Sequence, residues 1–161
     1  MSDGVQVKLE GIDELLIKFK TVSDQVQGKV TQFALRKASN VMRDRVKASL
    51  RRYDDPTTRE AIFENVIAKN QPRRFRQAGE LQTRLGILGG ARSRAENEQH
   101  PGGDTFYWRF LEFGKEKSPG KRPITSAVIA SQGEFYSTFS REMEKAIDRA
   151  IKRAEKAARA S

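Results

Sequence analysis

Between Ser23 and Leu50, Val26, Val30, Phe33, Ala34, Ala38, Val41, Met42 and Val46 recur every three or four residues. This is the period of one helix face, and it predicts a long helix with a continuous apolar stripe, capped by Ser23 or Asp24. Arg36, Lys37, Arg43, Lys47 and Arg51 fall on the other side. A stripe of that length must be covered by other parts of the molecule or by neighbours. It reads as core rather than as a cofactor-binding face.

A second long stripe begins at Pro123, where Ile124, Val128, Phe135, Phe139, Met143, Ile147, Ile151 and Ala154 share one side. It predicts a helix over about 123–158, with a kink at Gly133 and an end beyond Arg149 that projects from the domain. At 1.5 Å per residue such a helix spans roughly 50 Å, more than one modest core covers. Between the two stripes the period changes. Leu81, Thr83, Leu85 and Ile87 alternate, predicting a strand that ends at Gly89-Gly90, and Val5, Val7 and Leu9 alternate near the start. Ile12, Leu15, Leu16 and Phe19 follow at helical spacing. Asp55-Pro56 reads as the N-cap and first residue of a further helix, with Ile62, Phe63, Val66 and Ile67 on its apolar face and its end before Pro72. The segment 95–104, ending in Pro101-Gly102-Gly103, reads as an exposed loop. Residues 106–114 are rich in aromatics, include the only tryptophan, and are expected to form a major part of the core. Together these elements predict an α+β fold: a small antiparallel sheet packed against a long central helix, with a long C-terminal helix.

The 161 residues suit one domain. Hydrophobic content of 37%, charged content of 32% and a net charge of +10 leave long polar elements outside a modest core. The basic excess predicts attraction to polyanions, either nucleic acid or acidic protein surfaces; simple solvation of helix faces is the plainer alternative. The absence of cysteine excludes disulfides and thiolate chemistry. No apolar run approaches the roughly 20 residues of a membrane span. Met1-Ser2-Asp3-Gly4 lacks the features of a secretory signal, so a soluble, cytoplasmically made protein is expected, with no membrane partner.

Little in the chain points to catalysis, and an enzyme is not expected. His100 is the only histidine, lies in a polar loop, and cannot form a two-histidine metal site. Gly86-Ile87-Leu88-Gly89-Gly90 has neither the lysine of a P-loop nor a dinucleotide spacing, so no cofactor is expected. Asp54 and Asp55 read as a helix cap before a magnesium site. Glu112 sits amid aromatics, and a buried carboxylate there needs a partner, for which Arg109 or Arg122 is available. Arg73, Arg74, Arg76, Arg92 and Arg94 form a basic cluster, with Lys115, Lys117 and Lys121 in a later basic loop; these are candidate contacts for a polyanion or partner. No helix-turn-helix, zinc-finger or RNA-binding signature accompanies them.

Gly11-Ile12-Asp13-Glu14-Leu15, Gly79-Glu80-Leu81, Phe110-Leu111-Glu112-Phe113-Gly114 and Arg122-Pro123 occur in that order. In this the chain resembles the tail-component family of long-tailed phages, its tail-completion or neck proteins, from about Val5 to Met143. The sharpest part is Phe110, Glu112, Phe113 and Gly114 followed by Arg122 and Pro123. The chain departs from the family in a basic insert at about 53–77, in Lys115 where a threonine commonly follows Phe-Gly, and in lacking a second proline near Ser126 and Ala127. The resemblance implies a virion protein that assembles into a homo-oligomeric ring of six-fold symmetry between head and tail. It also implies contact with terminator, stopper and tail-tube proteins and passage of genomic DNA. Three alternatives remain open at this level: a tail terminator or head-closing stopper, a non-specific nucleic-acid-binding protein, and a small nuclease using Asp54, Asp55 and Glu60.

Overall fold

The computed structural model describes residues 24–54, 57, 60–71, 82–89 and 100–159. The expected strand at Val5–Leu9, the helix at Ile12–Phe19 and the arginines at 73, 74, 76, 92 and 94 lie outside the described residues. Helix α1 spans Asp24–Leu50. Its stripe is the spine of the molecule: Val30, Ala34, Ala38, Val46 and Leu50 are buried.

The two halves of α1 serve different clusters. In the first, Val30 and Ala34 pack with Met143 and Ile147 of the C-terminal helix α4 (Gln132–Arg159), flanked by Phe139, Ala146, Ala150 and Ile151. In the second, Val46 and Leu50 meet Ile62 and Val66, with Leu85, Ile87, Trp108, Leu111, Ile124 and Val128 packed around them. Burying a side chain of this size stabilises the fold by roughly 1.5–3 kcal/mol. The fold is α+β, with long helices packed on a small antiparallel sheet.

That sheet pairs β1 (Val66–Asn70) with β2 (Thr83–Ile87), Val66 opposite Ile87 and Asn70 opposite Thr83. The alternation at Thr83, Leu85 and Ile87 therefore marks a strand as expected. The helix expected from Asp55-Pro56 through Ile67 is not formed over residues 60–67, the start of it lying mostly outside the described residues. A 3-10 turn at Ile62–Asn65 leads directly into β1. Apolar residues at 62, 63, 66 and 67 fit either period over so short a run, and β-branched Val66 and Ile67 with a partner strand decide for the sheet. Asp54 still works as a cap, but at a distance: its carboxylate oxygens accept the N–H groups of Ile62 (2.8 Å) and Phe63 (3.2 Å).

Asn65, fully buried, holds the next loop in place. Its amide donates to the Gly103 carbonyl (2.9 Å) and the Thr105 hydroxyl (2.8 Å), and its Oδ1 accepts the Gly102 N–H (2.9 Å). The Gly102 carbonyl in turn accepts the Ala61 N–H at 2.9 Å. A Cβ at Gly102 would collide with the Ala61 carbonyl, so only glycine allows this approach. The described end of the expected exposed loop is thus partly interior, because Asn65 draws Gly102 and Thr105 inward.

The aromatic segment also departs from expectation. Helix α2 is short (Trp108–Phe113). Trp108 and Leu111 lean on the second cluster and Glu112 is buried, whereas Phe110 and Phe113 lie among the exposed apolar side chains, Phe113 at 73%. Positions 108, 111 and 112 occupy one face of a helical turn, which forces 110 and 113 to the other.

The single C-terminal helix expected from Pro123 is two. Helix α3 (Pro123–Ala130) stops at Ser131, and α4 starts one residue later. Ser131 adopts φ −95° and ψ 0°, and its hydroxyl donates to the Val128 carbonyl at 3.1 Å. The break is set by this buried serine; Gly133, the expected kink, lies inside α4 with open space around it. The side chains at 152–156 are exposed.

Candidate functional site: the Glu112 clamp and the basic face beside it

Helix α3 begins without a local cap. Its N-cap residue, Arg122, sits in the left-handed region (φ 50°, ψ 44°) and makes no side-chain capping bond, and Pro123 fills the first turn. A helix start leaves N–H groups without partners, and the helix dipole favours negative charge there. Glu112 supplies both needs from α2. Its Oε2 accepts the Ile124 N–H (2.8 Å) and its Oε1 accepts the Thr125 N–H (2.9 Å) and the Thr125 hydroxyl. The carboxylate is only 3% exposed. Neither Arg109 nor Arg122 pairs with it, contrary to expectation: the uncapped helix end, not a guanidinium, balances the buried charge.

The loop between these elements is equally constrained. Gly114–Lys115 (β3) pairs with Ser118–Pro119 (β4) in a tight hairpin, Gly114 opposite Pro119. Gly114 has φ 87°, and a Cβ there would run into the Ser118 carbonyl and the Gly120 nitrogen. Lys121 N–H returns to the Leu111 carbonyl at 2.8 Å, and Ser49 on α1 donates to the Pro123 carbonyl at 3.1 Å. Glu112, Gly114 and Pro123, separated in sequence, therefore act as one clamp that locks α2, the hairpin and α3 onto the end of α1. Phe113 stands on the outside of this clamp.

A basic face lies alongside. Lys115 Nζ rests over the Phe110 ring (4.9 Å to the centroid), with the Arg109 guanidinium at 5.8 Å, and Lys121 Nζ rests over Tyr53 (5.2 Å). The Arg51 guanidinium covers Phe63 at 4.6 Å. Lys117 is exposed in the hairpin turn. Of the candidate polyanion contacts, the structure seats Lys115 on Phe110 and Lys121 on Tyr53; Arg51 and Tyr53 were not among those candidates. Thr125 and Asn65 were missed as well. One signal for the clamp was available: an Arg-Pro helix start with no Ser, Thr, Asp or Asn before it demands a remote acceptor.

Other features are less developed. Several ion pairs lie on α1 and α4, as in Arg45–Glu134 at 2.7 Å, where the carboxylate's hydrogen bond and charge raise the arginine's pKa above its ordinary value. An open groove of about 590 Å³ lies between α1 and α4, lined by Val30, Phe33, Ala146 and Ala150 with Lys29 and Arg149 at its rim. Among the described residues no three His, Cys, Asp or Glu side chains gather as metal ligands, and no helix is long and apolar enough to cross a membrane. Asp54 is engaged by backbone N–H groups, and Asp55, its companion in the nuclease alternative, is outside the described residues. Comparison with protein-family models, with curated proteins and with solved structures returned no match to this chain.

Proposed function

We propose that the protein is a structural component of a tailed-phage neck, a tail-completion protein that assembles into a ring joining tail to head and letting DNA pass. The observation that carries this reading is the presentation of Phe113: a large apolar side chain, 73% exposed, mounted on a clamp built from Glu112, Gly114 and Pro123. Large exposed aromatics on rigid supports are what an interface uses as anchors. Ile129 on α3, 61% exposed, adds apolar surface of the same kind. The order of the motif residues supports a phage tail component; the apolar groove between α1 and α4 is further surface for a neighbour. A ring requires two different patches on each subunit to meet head to tail, and the clamp and the groove are two such patches. In this reading the protein works by binding alone. A tail terminator or head-closing stopper at the same junction would use the same surfaces.

The test is mass and location. Light scattering of the purified protein, with and without its neighbouring neck proteins, is expected to show a closed oligomer. Imaging of intact particles should place the chain at the head–tail junction. Phe113→Ser is expected to abolish the oligomer while leaving the thermal midpoint of the subunit within a degree or two. An oligomer unaffected by that change, or a particle lacking the chain, would overturn the reading.

A further inference from the structure

We infer that the face carrying Arg51, Lys121, Lys115 and Arg109 binds the phosphate backbone of duplex DNA without reading its sequence. The argument begins with what holds these cations. Each lies on an aromatic ring: Arg51 on Phe63, Lys121 on Tyr53, Lys115 and Arg109 on Phe110. A ring attracts a cation through its quadrupole but does not neutralise it. The ion pairs Arg43–Asp44, Arg45–Glu134, Arg141–Glu142 and Lys145–Glu142 lie on α1 and α4, and none includes these four side chains. Four full positive charges are thereby held in place and left unbalanced.

Short ties link the pairs to one another. Lys121 is tied by its N–H to the Leu111 carbonyl, next to Phe110, and its ammonium reaches Tyr53. Tyr53 N–H bonds the carbonyl of Leu50, whose side chain shares a cluster with Phe63. Arg52 and Lys117 are exposed nearby in sequence; the acids adjoining these residues are Glu64 and Glu116, with Asp54 and Glu112, whose carboxylates accept backbone N–H groups. Arg51, Arg52, Arg109, Lys115, Lys117 and Lys121 outnumber these four acids.

The same geometry chooses between ligands. Nucleic-acid platforms that stack bases need open ring faces. Here one face each of Tyr53 and Phe110 carries an ammonium group, and Phe63 is packed against the second cluster. What these pairs chiefly present is charge. A duplex carries one negative charge per roughly 1.7 Å of axis, a denser and more continuous array than a protein's carboxylates present. The inference deepens the neck reading, in which DNA passes the ring, yet it concerns the surface of the single subunit.

The test uses the full-length protein and a labelled 30-base-pair duplex, with anisotropy measured across 50–200 mM salt. Binding is expected to weaken log-linearly with salt and to be equal for unrelated sequences. Lys115→Gln with Lys121→Gln should lower the salt slope by about 2 and weaken binding on the order of tenfold at 100 mM. Lys152→Gln with Lys156→Gln, at the far end of α4, should leave the slope unchanged. Tyr53→Leu with Phe110→Leu keeps every charge but removes the cushions; a two- to fivefold loss at unchanged slope is expected, with melting curves confirming the fold. No binding by the wild type at 50 mM, an unchanged slope in the Lys115/Lys121 variant, or an equal loss from the α4 variant would overturn the inference. Displacement of the duplex by polyglutamate at equal charge concentration would also overturn it, in favour of an acidic protein. None of these results depends on oligomer mass, so failure here and failure of the ring are separable.

Discussion

The two ends of α1 are held by different physics. Along its first half, Val30 and Ala34 face Met143 and Ile147 in a contact built on apolar stripes. Along its second half, the cluster around Val46 and Leu50 is closed by polar ties: Glu112 to the start of α3, Asn65 to the loop at 102–105, Asp54 to the 3-10 turn. A stripe tolerates gradual change, because each side chain contributes its own share of buried area. A polar tie fails abruptly, since removing one partner strands the others in the interior.

That contrast can be broken most directly at Glu112. Glu112→Ala leaves two part-buried N–H groups and a hydroxyl without their acceptor and uncaps α3, and a loss of about 3–4 kcal/mol in denaturant unfolding is expected. Glu112→Gln keeps an acceptor and should recover part of it. Next is Ile147→Ala in the striped half, expected to cost about 3 kcal/mol from lost burial and the cavity left behind; Ile147→Val should cost only about 1 kcal/mol. The graded pair at 147 set beside the steep change at 112 is the measurement that sharpens the comparison. Asn65→Ala is expected to cost about 2 kcal/mol and to speed hydrogen exchange at Gly102 and Gly103 before the helices are affected. The smallest change runs the other way. Gly86 lies in β2 with φ outside the left-handed region and open space where a Cβ would stand, so Gly86→Ala should raise stability by about 0.5–1 kcal/mol.

The same division explains what was legible in the sequence. The α+β class and the course of α1 followed from periodicity, since a long stripe has one geometric solution. The alternation at Thr83, Leu85 and Ile87 was legible for the same reason. Val66–Asn70 was not, because four apolar residues in six positions fit a helix or a strand and only the partner strand decides. The depth of the aromatic segment was misjudged by composition: rings at 110 and 113 face outward while the one acid among them is buried. Ser131 gave no signal as a helix break, since its effect comes from burial and from a hydroxyl bonded back to Val128. Of the candidate site, Glu112, Gly114 and Pro123 were visible as a motif, but their joint purpose was not. The acceptor and the helix it caps are ten or more residues apart, and nothing in local spacing links them.

The clamp has a thermodynamic corollary for whatever meets Phe113. Because α2 is pinned at Glu112, at the Lys121–Leu111 bond and through the hairpin at Gly114, the backbone beneath that ring has already surrendered its freedom during folding. A visitor has only two side-chain torsions left to still, and the entropy that usually erodes affinity at a loop-borne contact is small. The bill for rigidity was settled before the encounter began.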